Sequence, residues 1–251
     1  MTSFRNKKIA ILGFGREGKA LLGFLKKRGV RPSQITICDK GVVMQKEVTI
    51  QTGERYLQNL ERFDVVFKSP GIPTVLPEIQ KVIRKGDVLS SPTNLFFDLC
   101  KGTIIGVTGT KGKGTTATML YKMLKAAKKR VWLGGNIGIA PFEFLPKMKK
   151  GDWVVLELSS FQIEDATVSP RIAVITNFTK EHLAPADPNN PNYHKILRAY
   201  WEAKANILKW QKRGDYLIIN SKLQVIRNKQ ISNFKFPVSK IIYFTKSDLA
   251  S

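Results

Sequence analysis

Residues 103–116 read TIIGVTGTKGKGTT, and the helical run ATMLYKMLKAA follows at 117–127. A β-branched strand enters a glycine-rich turn that opens directly into a helix, which is the arrangement of a phosphate loop. Gly109 and Gly112 let the backbone wrap a β-phosphate, the helix dipole faces the negative charge, and Lys113 reaches the β/γ oxygens. The expected nucleotide contacts are Gly109, Thr110, Lys111, Gly112, Lys113, Gly114, Thr115 and Thr116. A turn kept for packing alone has no use for the lysine.

On both sides of this loop, short β-branched runs alternate with helical patterns, the signature of parallel α/β architecture. Strands are expected at 8–12, 34–38, 64–67, 103–107, 131–133, 153–158, 172–176, 216–220 and 241–245. The expected fold class is α/β: an N-terminal Rossmann-like domain at 1–92, then a P-loop parallel-sheet ATPase-type central domain at 93–251, incomplete at its C-terminal end. SSPTN at 90–94 punctuates the boundary, and APADPNNPN at 184–192 carries too many prolines for regular structure. Ligands of open parallel sheets bind beyond the carboxyl ends of the strands, here Gly13, Asp39, Ser69, Thr108, Glu157 and Asn177.

Composition sets the outer limits. With 251 residues, 43% of them hydrophobic, the chain can build one large or two ordinary cores. No stretch approaches the roughly 18 to 20 apolar residues of a membrane span, and the N-terminus runs straight into a strand, so a cytoplasmic protein without membrane attachment is expected. Cys38 and Cys100 lie in apolar surroundings without metal-ligand spacing and read as reduced core or near-core residues. Lys and Arg number 42 against 19 Asp and Glu, a formal charge of +23. These basic residues are spread along the chain rather than set on one element among aromatics, which favours solvated faces over a specific nucleic-acid module. On charge alone a nucleic-acid binder stays among the alternatives.

A second glycine pattern, GFGREG at 13–18, lies between the strand KKIAIL and the helical stretch KALLGFLKKRG. Its glycines permit a tight turn and close backbone approach to a pyrophosphate at a helix N-terminus. Asp39 closes the next strand, where an acid can accept from a ribose hydroxyl. Alone, this pattern suggests NAD or FAD and hence an oxidoreductase, beside a glycine turn that serves packing only. Two phosphate-binding turns in one chain suggest two different phosphorylated ligands.

Glu157 ends the apolar strand WVVLEL, where an ionised carboxylate is costly without a cation or donors, so it is a magnesium-ligand candidate beside an acid that simply reaches solvent. Asn177 and then His182 follow the strand IAVIT at the same edge. Lys204 shares a helical stripe with Leu197, Trp201 and Leu208, so it either faces inward or snorkels its ammonium to the edge.

In their order and spacing, TGTKGK at 108–113, GGNIG at 134–138, ELSSFQ at 157–162 and the N-x-x-x-E-H of 177–182 resemble the Mur ligases of peptidoglycan synthesis, in particular the D-glutamate-adding branch. SPGIP at 69–73 and the GFGREG turn are similar to the family's N-terminal uridine-nucleotide domain, which moves that turn from NAD to the UDP part of a substrate. The resemblance implies an ATP-dependent, monomeric ligase joining D-glutamate to UDP-N-acetylmuramoyl-L-alanine through an acyl phosphate, with ATP and Mg2+ as cofactors. It implies that Lys113 holds the β/γ-phosphates, that Glu157, His182 and Thr115 serve the metal, and that Lys204 is the family's carbamylated lysine. Lys113, Lys204 and His182 would then form the catalytic set, with Asn177 at the nucleotide. Substrate contacts would come from Gly15, Arg16, Asp39, Ser69, Gly71, Asn136, Ser159 and Gln162.

Departures accompany the likeness. The family usually has Ser or Thr directly after the loop lysine, where this chain has Gly114, and commonly Asp where Glu181 stands. The chain also ends before the family's adenine-contacting segment and C-terminal domain, so a fragment that binds both nucleotides without ligating is one expectation. A naturally short, non-catalytic UDP-muramoyl or ATP binder is another.

Overall fold

The computed structural model describes residue 4 and residues 6–86, 88–179, 194, 196–223 and 240–245. Its contacts divide the chain into two units, Met1–Leu99 with Ala140–Glu143, and Cys100–Ile139 with Phe144–Ser251.

In the first unit, strands β1 (Ile9–Leu12), β2 (Ile35–Asp39), β3 (Thr49–Thr52), β4 (Val65–Lys68) and β5 (Val88–Ser90) form one sheet in the order β3-β2-β1-β4-β5. All its pairings are parallel. β1 is buried along its whole length, as a central strand covered on both faces must be. Helix α1 (Arg16–Lys27) buries Leu21, Leu22 and Leu25 and ends on Lys26 and Lys27, cations that suit the negative end of its dipole. Helix α2 (Pro77–Lys85) starts on a proline and stops at Gly86, whose φ is 81°. Helix α3 (Pro92–Leu99) buries Leu95, Phe96 and Phe97. The sequence placed a boundary at 92/93, whereas the contacts place all of α3 in the first unit. There Phe96 stands edge-on to Phe142, a ring brought in by Ala140–Glu143 that also packs on Phe24. From β1 the chain builds outward through β2 and β3, then returns to β4 on the other flank, so a topological switch opens at the carboxyl ends of β1 and β4.

The second unit holds β6 (Thr103–Thr108), β7 (Val131–Gly135), β8 (Trp153–Glu157), β9 (Ile172–Ile175), β10 (Tyr216–Asn220) and β11 (Lys240–Phe244), in the order β11-β10-β9-β6-β8-β7. These pairings too are all parallel. Helix α4 (Lys113–Ala126) lays Ala117 on Val107, Val155 and Val174, and Leu120, Tyr121 and Leu124 complete that layer. Short α5 (Pro141–Phe144) and α6 (Ser160–Ile163) follow β7 and β8, and α7 (Leu197–Ala205) precedes β10. β6 lies between β8 and β9, so the loop after β6 emerges at the carboxyl ends of three strands.

Opposite that end, Asp152 is buried and accepts hydrogen bonds from Trp132 Nε1 at 2.9 Å, Arg130 Nε at 3.0 Å and the Lys149 amide at 3.1 Å. Burial by itself raises this carboxyl; the Trp132 indole, the Lys149 amide and the Arg130 guanidinium together hold it below its ordinary value. Both cysteines are free thiols. Burial pushes Cys38 up to about 12 and Cys100 up to about 11, which leaves them unreactive near neutrality.

Candidate functional site

In the second unit, Gly109 (φ 147°) and Gly112 (φ 77°) turn the chain from β6 into α4. A Cβ on Gly109 would lie 2.1 Å from Thr176 Oγ1, so the close approach of the two strand ends requires glycine there. The segment after β9 holds the loop in place. Thr110 N donates to Asn177 O at 3.0 Å, Lys111 N to Asn177 Oδ1 at 2.8 Å, and Asn177 Nδ2 returns a bond to Lys111 O at 2.8 Å. Thr176 Oγ1 donates to the same Lys111 carbonyl at 2.8 Å.

Helix α7 supports the loop from within the unit. Tyr200 OH donates to Thr110 Oγ1 at 3.3 Å, and Lys204 Nζ donates to Gly109 O at 2.8 Å while lying 4.6 Å from the Tyr200 ring centroid. Lys204 is 1% exposed, so of the two placements open to it the inward one is realised. Thr176 and Tyr200 are not singled out by the sequence. Tyr200 was within reach, since it precedes Lys204 by one helical turn on the inward side.

These bonds occupy the amides of Thr110 and Lys111, which leaves the first turn of α4 as the candidate anion position. That turn has no side-chain cap and no acidic residue. Its amides lack intrahelical acceptors and carry the positive end of a 14-residue helix dipole. Lys113 starts this turn, with Nζ donating to Thr110 O at 2.8 Å.

Glu157 ends β8 beside the same turn. It is 4% exposed, and its Oε2 is buried without a hydrogen-bond partner among the described residues. A Cβ on Gly114 would stand 3.5 Å from that oxygen. An ionised, unpaired carboxylate at such a place is costly unless a cation completes it. A magnesium ion bound through one carboxylate plus phosphate oxygens and water fits this donor set. Among the described residues no group of three or more His, Cys, Asp or Glu is assembled as a metal cage. Thr115 is exposed, and His182 lies outside the described residues, as does the proline-rich 184–192. Asn136 is exposed, and its amide donates to Glu157 O at 2.9 Å. Ser159 and Gln162 form a reciprocal capping box at the start of α6: Ser159 N donates to Gln162 Oε1 at 2.9 Å, and Gln162 N to Ser159 Oγ at 3.2 Å.

The first unit carries its own constellation at the switch between β1 and β4. Ser69 Oγ donates to Gly13 O at 3.1 Å, and Asp39 takes up Phe14 N at 2.6 Å and Gly41 N at 2.8 Å. Asp39 therefore ties the glycine turn to the end of β2. Gly15, Arg16 and Gly71 are exposed around this turn. A Cβ on Gly18 would lie 2.3 Å from Gly13 O, so this position is the close helix–strand contact of the pattern.

The description "Mur ligase middle domain" matches residues 107–250, more than half of the chain, and "Mur ligase MurD-like, N-terminal domain" matches residues 7–90. The chain belongs to the Mur ligase family. Among curated Mur ligases, UDP-N-acetylmuramoylalanine--D-glutamate ligase of Acetivibrio thermocellus is 38% identical over 86% of this chain and 46% of its own length. The enzyme of the same name from Clostridium acetobutylicum is 36% identical over 90% of this chain and 49% of its own. The chain thus spans about half the length of the curated relatives it matches. The Mur ligase fold is also that of UDP-N-acetylmuramate:L-alanyl-gamma-D-glutamyl-meso-diaminopimelate ligase from Neisseria meningitides. That structure has a TM-score of 0.58 at 19% identity, with 95% of this chain and 78% of the other covered. Among the described residues no helix is long and apolar enough to cross a membrane.

Proposed function

We propose that the chain contributes the uridine-nucleotide and ATP units of a monomeric, cytoplasmic, magnesium-dependent ligase that adds D-glutamate to UDP-N-acetylmuramoyl-L-alanine in peptidoglycan synthesis. One observation carries the reading: Glu157 Oε2, buried and without a partner among the described residues, lies beside the uncapped first turn of α4, which supports a cation next to a triphosphate. The curated relatives' names point to the same substrates.

In this reading the α4 amides and Lys113 hold the β- and γ-phosphates, and Gly109, Gly112 and Asn177 fix the loop's shape. Glu157, joined by His182 on the resemblance, would hold Mg2+, which would offset charge on the phosphate oxygens. The substrate carboxylate takes the γ-phosphoryl group, releasing ADP and leaving an acyl phosphate. The D-glutamate amine then attacks the acyl carbon, and phosphate departs. The chain's work is positioning and charge compensation, the main demands of phosphoryl transfer. Lys204 Nζ donates to Gly109 O and, on the resemblance, is the residue that would take the carbamate. In the first unit Ser69, Gly71, Gly15, Arg16 and Asp39 would contact the uridine nucleotide; in the second, Asn136 would contact the muramoyl substrate, with Ser159 and Gln162 as further substrate contacts.

Calorimetric titration of the purified chain tests this reading. A non-hydrolysable ATP analogue with Mg2+ and UDP-N-acetylmuramoyl-L-alanine should each bind, and Lys113→Ala should abolish only the first. Specific NADH binding with neither of these would replace the ligase reading by a dehydrogenase.

A further inference from the structure

In phosphate loops generally, the residue after the lysine carries a hydroxyl that reaches the magnesium ion. Here that residue is Gly114, and the structure shows what its lack of a side chain does locally. A Cβ built there meets Glu157 Oε2 at 3.5 Å, Ile137 Cγ2 at 3.8 Å and Ile137 Cδ1 at 4.0 Å, all ordinary contact distances. The position has room for a side chain, and one placed there would point at the unpartnered carboxylate oxygen. Gly114 also lies inside α4, outside the left-handed backbone region. Neither crowding nor backbone strain explains the glycine.

Thr115 is one residue on, about 100° further round the helix, and exposed, so it does not occupy the direction that a side chain at 114 would take. Ile137 closes the other side of the position with carbon atoms only.

Resting on the ATP–Mg2+ reading above, we propose that Gly114 is a specificity-determining position that loosens the cation site. With no hydroxyl at position 114, solvent supplies that ligand, and the site discriminates weakly between Mg2+ and larger divalent cations. The physical reason is rigidity. Mg2+ demands near-octahedral ligands at about 2.0–2.1 Å, whereas Ca2+ accepts about 2.3–2.6 Å and variable geometry. A fixed side-chain oxygen enforces the shorter distance, and a mobile water does not.

The test uses the chain itself, a fluorescent non-hydrolysable ATP analogue, and separate Mg2+ and Ca2+ titrations of nucleotide binding. Wild type, Gly114→Ser, Gly114→Ala and Glu157→Gln are compared. Gly114→Ser is expected to lower the Mg2+ concentration for half-maximal binding by roughly fivefold, with the Ca2+ requirement changed less than about twofold. Gly114→Ala adds the carbon without the hydroxyl and should give no such gain. Thermal melts of both variants establish folding, and each substitution relieves a helical glycine, so neither is expected to unfold. If serine and alanine act alike, or serine leaves the Mg2+ to Ca2+ ratio unchanged, the proposal is overturned while the ATP–Mg2+ reading stands. If wild type binds the analogue equally well without any divalent cation and Glu157→Gln changes nothing, the underlying reading fails, and this inference with it.

Discussion

At the residue scale, the chemistry turns on buried polar atoms and on how each is satisfied. Asp152 and Glu157 are both buried acids in the second unit, yet Asp152 has three donors around it while one oxygen of Glu157 has no partner among the described residues. The first arrangement is that of an anchor, and the second supports the proposed cation site. Because the folded-state value of Asp152 lies below its ordinary 3.8, its stabilising contribution is present above that pH and is lost as the pH falls through the lower folded value. Asp152→Asn should therefore cost roughly 1.5–3 kcal/mol in urea melts at pH 7. The gap to wild type should narrow as the melts are repeated below pH 4 or so. Thr176→Val removes one donor from Lys111 O, and Asn177 Nδ2 remains. A stability loss of about 0.5–1.5 kcal/mol is expected, with a larger proportional loss of triphosphate affinity as the loop loosens; unchanged affinity in the same titration would count against a loop-holding role for Thr176.

At the element scale, the strands legible in the sequence were those with β-branched, apolar runs. All nine expected strands form, within a residue or two at their ends. The two that were missed, β3 and β5, are the outer strands of the first sheet. Thr49-Ile50-Gln51-Thr52 has no buried residue, and Val88-Leu89-Ser90 is only three residues long. An edge strand needs neither the continuous apolar run nor the length of a central one, so composition says little about it. The two glycine turns were legible because strand, turn and helix occur in immediate succession. The clamp from Thr176, Asn177, Tyr200 and Lys204 was legible only in part, since it joins residues distant in sequence and depends on which way each side chain faces. Gly18 offers a test at this scale. A methyl there would collide with Gly13 O, so Gly18→Ala should push α1 off β1 and lower stability by about 1–3 kcal/mol. UDP-substrate affinity in the first unit should fall, and ATP-analogue affinity in the second should be unaffected.

At the scale of the whole molecule, the chain carries a formal charge of +23, and each of the two proposed sites would take a phosphorylated ligand. A cationic field of this size concentrates anions in a salt-dependent way. Affinities for both nucleotides should fall together as NaCl is raised from about 50 to 500 mM, while Lys113→Ala removes only one of them. A field acting on one ligand and not the other would mean that local contacts, not net charge, set the salt response.

The return of Ala140–Glu143 to the first unit bears on how the protein is made. Phe142 is 4% exposed and packs on Phe24 and Phe96, so the first unit's core includes a ring encoded beyond β7. During synthesis the first 99 residues leave the ribosome without that ring. The N-terminal unit can complete its packing only after the phosphate loop, α4 and β7 have been translated, which couples the maturation of the two units in time.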